Sequence, residues 1–256
     1  MQVRSSVAIR SAFQPIGQWL GALEAGTVFF LLLSYIWYFQ SRVHWLWAVL
    51  FGFVILSHIV RGESPASLGL RAGGFKECAR RFALPVLLVV GTATIAGLAL
   101  DTLRDVALWR VGGVLVGYCF WALFQQYLLN GYFVNRLHSS LPERYEYLAA
   151  PMGGVLFAAA HVPNTLLMVV TFIGGAVAAA AFLRHRNLLF LALAHALVGT
   201  TIWFVVPDTV SHHLRVGPGM RRGHPHSVHQ PAPVADTLSA AVLRREVPAA
   251  AARASQ

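Results

Sequence analysis

Charge is scarce in this chain of 256 residues. Asp, Glu, Lys and Arg together make up 12% of it, against 57% hydrophobic residues. Soluble domains run near a quarter charged. A single water-soluble core could not hide so much apolar surface, whereas a bilayer could, at about 20 apolar residues per spanning helix. Acidic residues are scarcer still, 10 against 20 Lys and Arg, which leaves a formal net charge of +10. In a soluble protein that imbalance would raise nucleic-acid binding. No RNA- or DNA-binding signature accompanies it here, so no nucleic-acid partner is expected. Cysteine is nearly absent. Cys78 and Cys119 fall in different segments, which gives neither a disulfide framework nor a metal spacing. The first apolar run is long and lacks a small-residue cleavage pattern, so it reads as a span and not as a removable signal. There is no internal repeat. Nor do Pro and Gly interrupt paired halves of the chain, as they would in many transporters.

What is present is a series of about seven apolar segments: 17–38, 44–60, 82–100, 111–133, 149–161, 165–183 and 188–206. They are too long for strands, and the Gly and Ala inside them suit close helix packing in lipid. The expected fold is therefore all-α, a polytopic membrane helix bundle with about seven transmembrane helices. The second and fifth segments are short for a full crossing. Residues 1–16 read as a cytoplasmic leader and 17–206 as the helical domain. The leader carries Arg4 and Arg10, and the even loops carry Arg61, Arg71, Lys76, Arg80, Arg81, Arg136, Arg144, Arg184 and Arg186. The odd loops hold Arg42, Arg104 and Arg110, so the positive-inside rule puts the N-terminus in the cytoplasm. The second loop, RGESPASLGLRAGGFKECARR, has an amphipathic pattern and is expected at the membrane surface. From Pro207 to residue 256 the chain turns rich in Gly, Pro, His and Arg without apolar periodicity, and reads as a disordered tail. His224, His226 and His229 could bind metal ions weakly, though a solvated tail accounts for them.

Polar side chains at membrane depth cost free energy, and each is a candidate for function. Glu24 and His58 lie near span ends, where interfacial placement accounts for them. Gln125 and Gln126 are adjacent, hence about 100° apart on a helix, and at least one should face the protein interior. Interhelical hydrogen bonding would explain that. His161 closes the fifth segment, and His195 sits near the middle of the seventh, with Thr200 and Thr201 after it. Two histidines in separate spans with a polar pair in a third suggest a convergent pocket.

The local sequences sharpen this. Segment four reads WALFQQYLLNGYFVNRL, segment five ends FAAAHVPN, and segment seven reads LALAHALVGT. This order resembles the CAAX-processing and bacteriocin-processing (CPBP, or Abi) family of intramembrane endopeptidases. That family carries E-E-x-x-x-R, F-x-x-x-H and H-x-x-x-N motifs on successive helices. The resemblance covers about Ser64 to Val206 and includes the lead-in SPASLGLR. Phe157, His161 and His195 match. Gln125 and Gln126 stand where the family has its glutamates, Asn130 where it has arginine, and Gly199 where it has asparagine.

The resemblance implies a glutamate that takes a proton from water, one histidine that helps activate that water, and a second histidine that stabilises the oxyanion with the asparagine. A general base needs a lone pair of tunable basicity, and a carboxamide has none. His161 or His195 would have to serve instead. The expected catalytic set is His161, His195, Gln125 and Gln126. Phe157, Asn130, Asn164 and Thr200 are expected to line the substrate pocket. Catalytic zinc usually takes three protein ligands and only two histidines lie at depth, so neither metal nor other cofactor is expected. The expected partners are the lipid bilayer and a membrane-associated peptide or protein substrate, in a bacterial plasma membrane. Three readings stay open: a peptidase with a rearranged site, an inactive relative that binds a peptide or membrane-protein partner, and a small transporter or structural subunit.

Overall fold

The computed structural model describes residues 3–221, with side chains placed from 19 to 220. Among these residues there are helices and turns and no strand. Residues 222–256 lie outside the described part, and with them the greater part of the expected tail and His224, His226 and His229.

All seven apolar segments are helical. Helix α1 (Val3–Ser34) widens into a π-helical turn at Tyr35–Phe39 and is followed by α2 (Leu46–Val60) and α3 (Phe75–Ala99). Helix α4 (Leu108–Gln126) runs on through π-helical turns (Tyr127–Val134) into α5 (Asn135–Ser140). Then come α6 (Ala149–Ala159), α7 (Thr165–His185) and α8 (Leu188–Val205). Five helical stretches are long and apolar enough to cross a membrane: 19–39, 75–99, 108–140, 165–185 and 188–205. Helix α2 is a shorter apolar helix. The 11 residues of α6 span only about 17 Å of a hydrocarbon core about 30 Å thick. Helix α6 instead pairs tightly with α7. A Cβ on Gly154 would come within 2.5 Å of the Phe172 carbonyl oxygen, so glycine is what lets the two backbones meet. The outward faces carry bare apolar side chains, such as Leu87, Ile95, Phe120 and Ile173, as lipid contact requires.

The second loop is anchored to the rest of the chain. It folds back on the α7–α8 turn. The Asn187 side chain caps α8 by accepting from Phe190 N and donates to the Arg71 and Gly73 carbonyls. Leu188 N donates to Gly69 O at 2.9 Å, and Gly69 holds φ +83° in a gap where a Cβ would strike the Phe182 ring. Of the stretch that the sequence assigns to the tail, residues 208–221 form short helical turns. These are α9 (Asp208–Ser211), a 3-10 turn at His212–Leu214 and α10 (Pro218–Arg221).

Arg136, which counts as a loop cation in the sequence, is 2% exposed. Its guanidinium donates to both oxygens of Glu63, at 2.7 and 2.8 Å, and to Ser57 Oγ at 2.9 Å. Glu24 closes the cluster by accepting from Arg61, Ser57 and Tyr132, and His58 Nδ1 lies 2.6 Å from Glu63. Glu24 and His58 thus belong to an ionic clamp that joins α1, α2, the second loop and α5. Burial works to raise the Glu63 carboxyl, but hydrogen bonds from Arg136 and His58, with the Arg136 charge, hold it below the usual range. A carboxyl depressed in the folded state lends stability above its ordinary pKa of about 4.3, and that stability is lost as pH falls through the folded value. Unfolding midpoints should therefore drop as pH goes below about 4. Glu63→Gln should flatten that slope, and an unchanged slope would remove Glu63 from the clamp's energetics.

Candidate functional site

The π-helical turns after Gln126 are the local feature that builds the site. Wide turns carry five residues per hydrogen-bonded step and re-aim the side chains that follow, which is why they recur at functional sites. They bury Tyr127, Leu129, Asn130 and Tyr132 together on the inner side of the 108–140 span. Helices α4 and α8 lie against each other, so the polar residues of α4 meet His195.

Asn130 is fully buried and donates from Nδ2 to Gln126 Oε1 at 2.6 Å. That fixes the Gln126 amide. Its nitrogen then faces His195 Nδ1 at 3.2 Å. An amide nitrogen donates, so His195 Nδ1 accepts, and the His195 proton rests on Nε2. His161 has the opposite arrangement. Its Nδ1 lies 2.7 Å from the Phe157 carbonyl oxygen, which can only accept, so Nδ1 carries the proton and Nε2 keeps its lone pair. The Phe157 ring packs against both imidazoles. It is edge-on to His161 at 4.9 Å and to His195 at 5.6 Å between centroids. Tyr118 holds the other side of His195, near-perpendicular at 5.7 Å.

Gln126, Asn130, His195, Phe157 and His161 thus form one connected chain of contacts. Gln125 stands beside it with its Oε1 buried and unpartnered. The Asn130 Oδ1 and Thr200 Oγ1 are also buried without a partner, which leaves three polar oxygens to be satisfied by something else. Thr201 donates to Leu197 O within its own helix. Asn164, expected in the pocket, is spent elsewhere. Its Oδ1 accepts from Leu167 N as the α7 cap, and its Nδ2 donates to the Ser211 and Arg215 carbonyls. A fully buried amide with all its groups taken by backbone has nothing left for a substrate. It clamps the 208–221 segment instead. Among the described residues no three His, Cys, Asp or Glu side chains converge to hold a metal ion.

Residues 106–201 match the family model described as type II CAAX prenyl endopeptidase Rce1-like. Over that stretch the chain is similar to the CAAX-processing and bacteriocin-processing family. With its apolar helices, it is an integral membrane protein. No curated protein and no solved structure matches the chain. The matched stretch begins just before α4 and ends within α8, so it contains every site residue named above.

Tyr118 is the site residue that the sequence alone does not reveal. A Cβ on Gly199 would fall 2.2 Å from the Tyr118 ring and 3.0 Å from its hydroxyl oxygen. The ring therefore fills the room where the family's asparagine side chain would begin. The available signal was spacing: Tyr118 lies seven and eight residues before Gln125 and Gln126, on the same side of α4. Gly199→Asn alone is expected to force the Tyr118 ring aside and destabilise the protein by about 1–3 kcal/mol, the usual range for overpacking. Gly199→Asn combined with Tyr118→Ala should recover most of that loss in a detergent thermal-shift measurement. If the single variant is as stable as wild type, the two positions do not compete for this space.

Proposed function

We propose that the chain is an intramembrane peptidase that hydrolyses peptide bonds of membrane-associated substrates with a histidine as its base. One observation carries this reading: the two histidines are set in opposite proton states by their partners. His161 offers a lone pair and His195 offers an N–H. In the proposed step, His161 Nε2 takes a proton from water and the hydroxide oxygen adds to the scissile carbonyl carbon. The carbonyl oxygen becomes an oxyanion that accepts from His195 Nε2–H. Collapse breaks the C–N bond, and the proton on His161 passes to the leaving amine. Neither glutamine is asked to ionise. Gln126 keeps the His195 proton on the nitrogen that serves the oxyanion.

A second reading has its own support. The unpartnered oxygens of Gln125 and Asn130 and the Thr200 hydroxyl make a neutral set that suits a peptide backbone held without cleavage. The experiment that separates the two is proteolysis in proteoliposomes against a library of membrane-tethered peptides. Cleavage by wild type that is lost in His161→Ala supports the peptidase. Retention of peptides without any product supports the binder.

A further inference from the structure

The α3 and α7 ends meet in a cleft of about 410 Å³ lined by Glu77, Arg80, Arg81, Arg184 and His185. Several other arginines of the structure are engaged. Arg61, Arg104 and Arg136 are ion-paired, and Arg71 and Arg186 bind backbone carbonyls. Arg80, Arg81 and Arg184 form no ion pair among the described residues, and all three are exposed. Glu77 is the single carboxylate on the lining, so three guanidiniums face one negative charge. His185 adds a ring nitrogen, Nε2, that is buried and has no partner.

The cleft is held by contacts within the chain, so it exists without a ligand. Arg71 donates to the His185 and Arg186 carbonyls, at 3.3 and 3.2 Å. Gly74, at φ +80°, lets the α3 start approach so closely that a Cβ there would lie 2.7 Å from His185 O. These contacts hold the start of one membrane helix beside the end of another.

Below the arginines each helix shows an apolar stripe on the same face. On α3, Leu84, Leu87 and Leu88 follow Arg80 at four, seven and eight residues, with 59–64% of each exposed. On α7, Val177 and Ile173 precede Arg184 by seven and eleven residues and are 51% and 58% exposed. A cationic mouth above two bare apolar stripes fits an amphiphile, and a free anion would use only half of it. Guanidinium forks suit phosphate oxygens, and basic pockets between membrane helices are where anionic headgroups lodge.

We propose that this cleft binds an anionic glycerophospholipid, its phosphate held by Arg80, Arg81, Arg184 and His185 and its acyl chains along the α3 and α7 stripes. The site is separate from the cluster of His161 and His195 and does not depend on any peptidase activity. The test is native mass spectrometry of the full chain in detergent, titrated in turn with phosphatidylglycerol, phosphatidylcholine and inorganic phosphate. Wild type should retain phosphatidylglycerol about tenfold or more over phosphatidylcholine. Replacing all three arginines (Arg80→Gln, Arg81→Gln, Arg184→Gln) should weaken phosphatidylglycerol on the order of a hundredfold, at about fivefold per arginine. A control carrying Arg42→Gln, Arg110→Gln and Arg144→Gln should leave retention unchanged. If the triple variant aggregates, Arg184→Gln alone should give the fivefold loss. Equal retention of the two lipids, or equal loss in both triple variants, overturns the proposal. So does displacement of phosphatidylglycerol by millimolar phosphate, which would make the cleft a simple anion site.

Discussion

Arg136→Met is expected to cost about 3–5 kcal/mol of folding stability, more than any surface arginine. The reason is what the substitution leaves behind. Arg136 is 2% exposed and grips Glu63 with both arms while reaching Ser57 and Glu24. A methionine fills much of the volume but takes both guanidinium bonds from Glu63, which keeps only His58, and leaves two partly buried carboxylates facing each other across it. Removing one partner of a buried pair is costly, whereas removing the whole set can be nearly neutral. The variant Arg136→Met with Glu63→Gln and Glu24→Gln should therefore regain a large part of the loss. Reversible unfolding in mixed micelles measures both. A single variant within about 1 kcal/mol of wild type would mean that the clamp is solvated and contributes little. Arg144→Gln is the comparison, since that side chain is exposed and stacks only on Tyr145.

That clamp also marks the limit of what sequence could give. Apolar run length reveals helices directly, because a bilayer demands internally satisfied backbone over a known thickness. All seven segments were legible as helices on that ground, and five helical stretches are long and apolar enough to cross a membrane. The ends of the segments were not legible. Helix α3 begins at Phe75, well before its apolar part, because Lys76, Arg80 and Arg81 are good helix formers that end at the interface. Arg136 followed the rule that arginine after a span belongs to a loop. The continuation of the 108–140 span through π-helical turns, which no residue pattern announces, carried it inward. Asn164 has a capping role whose signal was present in the sequence. An Asn in extended conformation before Thr-Leu-Leu is a helix N-cap by ordinary rules, and the structure uses it so. In the candidate site, the motif order gave His161, His195 and the glutamines. It could not give the hydrogen-bond directions that separate the two histidines, since these depend on an amide orientation set by Asn130 from the next turn. Nor could it give Tyr118, whose role arises from an absence at Gly199 on another helix.

Those directions lead to a large effect expected on activity. If His195 serves the oxyanion through Nε2–H, Gln126→Glu should harm cleavage. A carboxylate at 126 still accepts from Asn130 with one oxygen, but it turns an acceptor toward His195 Nδ1 where the amide turned a donor. A neutral imidazole then places its proton on Nδ1, and Nε2 loses the hydrogen that the oxyanion needs. Loss of one such donor lowers kcat by about 10²–10³-fold, with KM little changed because the interaction belongs to the transition state. His161→Ala removes the base itself and should cost about 10²–10⁴-fold. Gln126→Leu is the informative partner. It removes the donor without installing a carboxylate, so His195 can still present Nε2–H part of the time, and its loss should be smaller than that of Gln126→Glu. The contrary outcome is as clear. If wild type is silent and Gln126→Glu cleaves, the missing piece was the carboxylate base. His161 would then not be a base in its own right, and the natural chain would be a peptide binder on a peptidase frame. Because the substitution exchanges an NH2 for a carboxylate oxygen with almost no change of volume, a gain or a loss of rate reports charge and proton placement and not a repacked core.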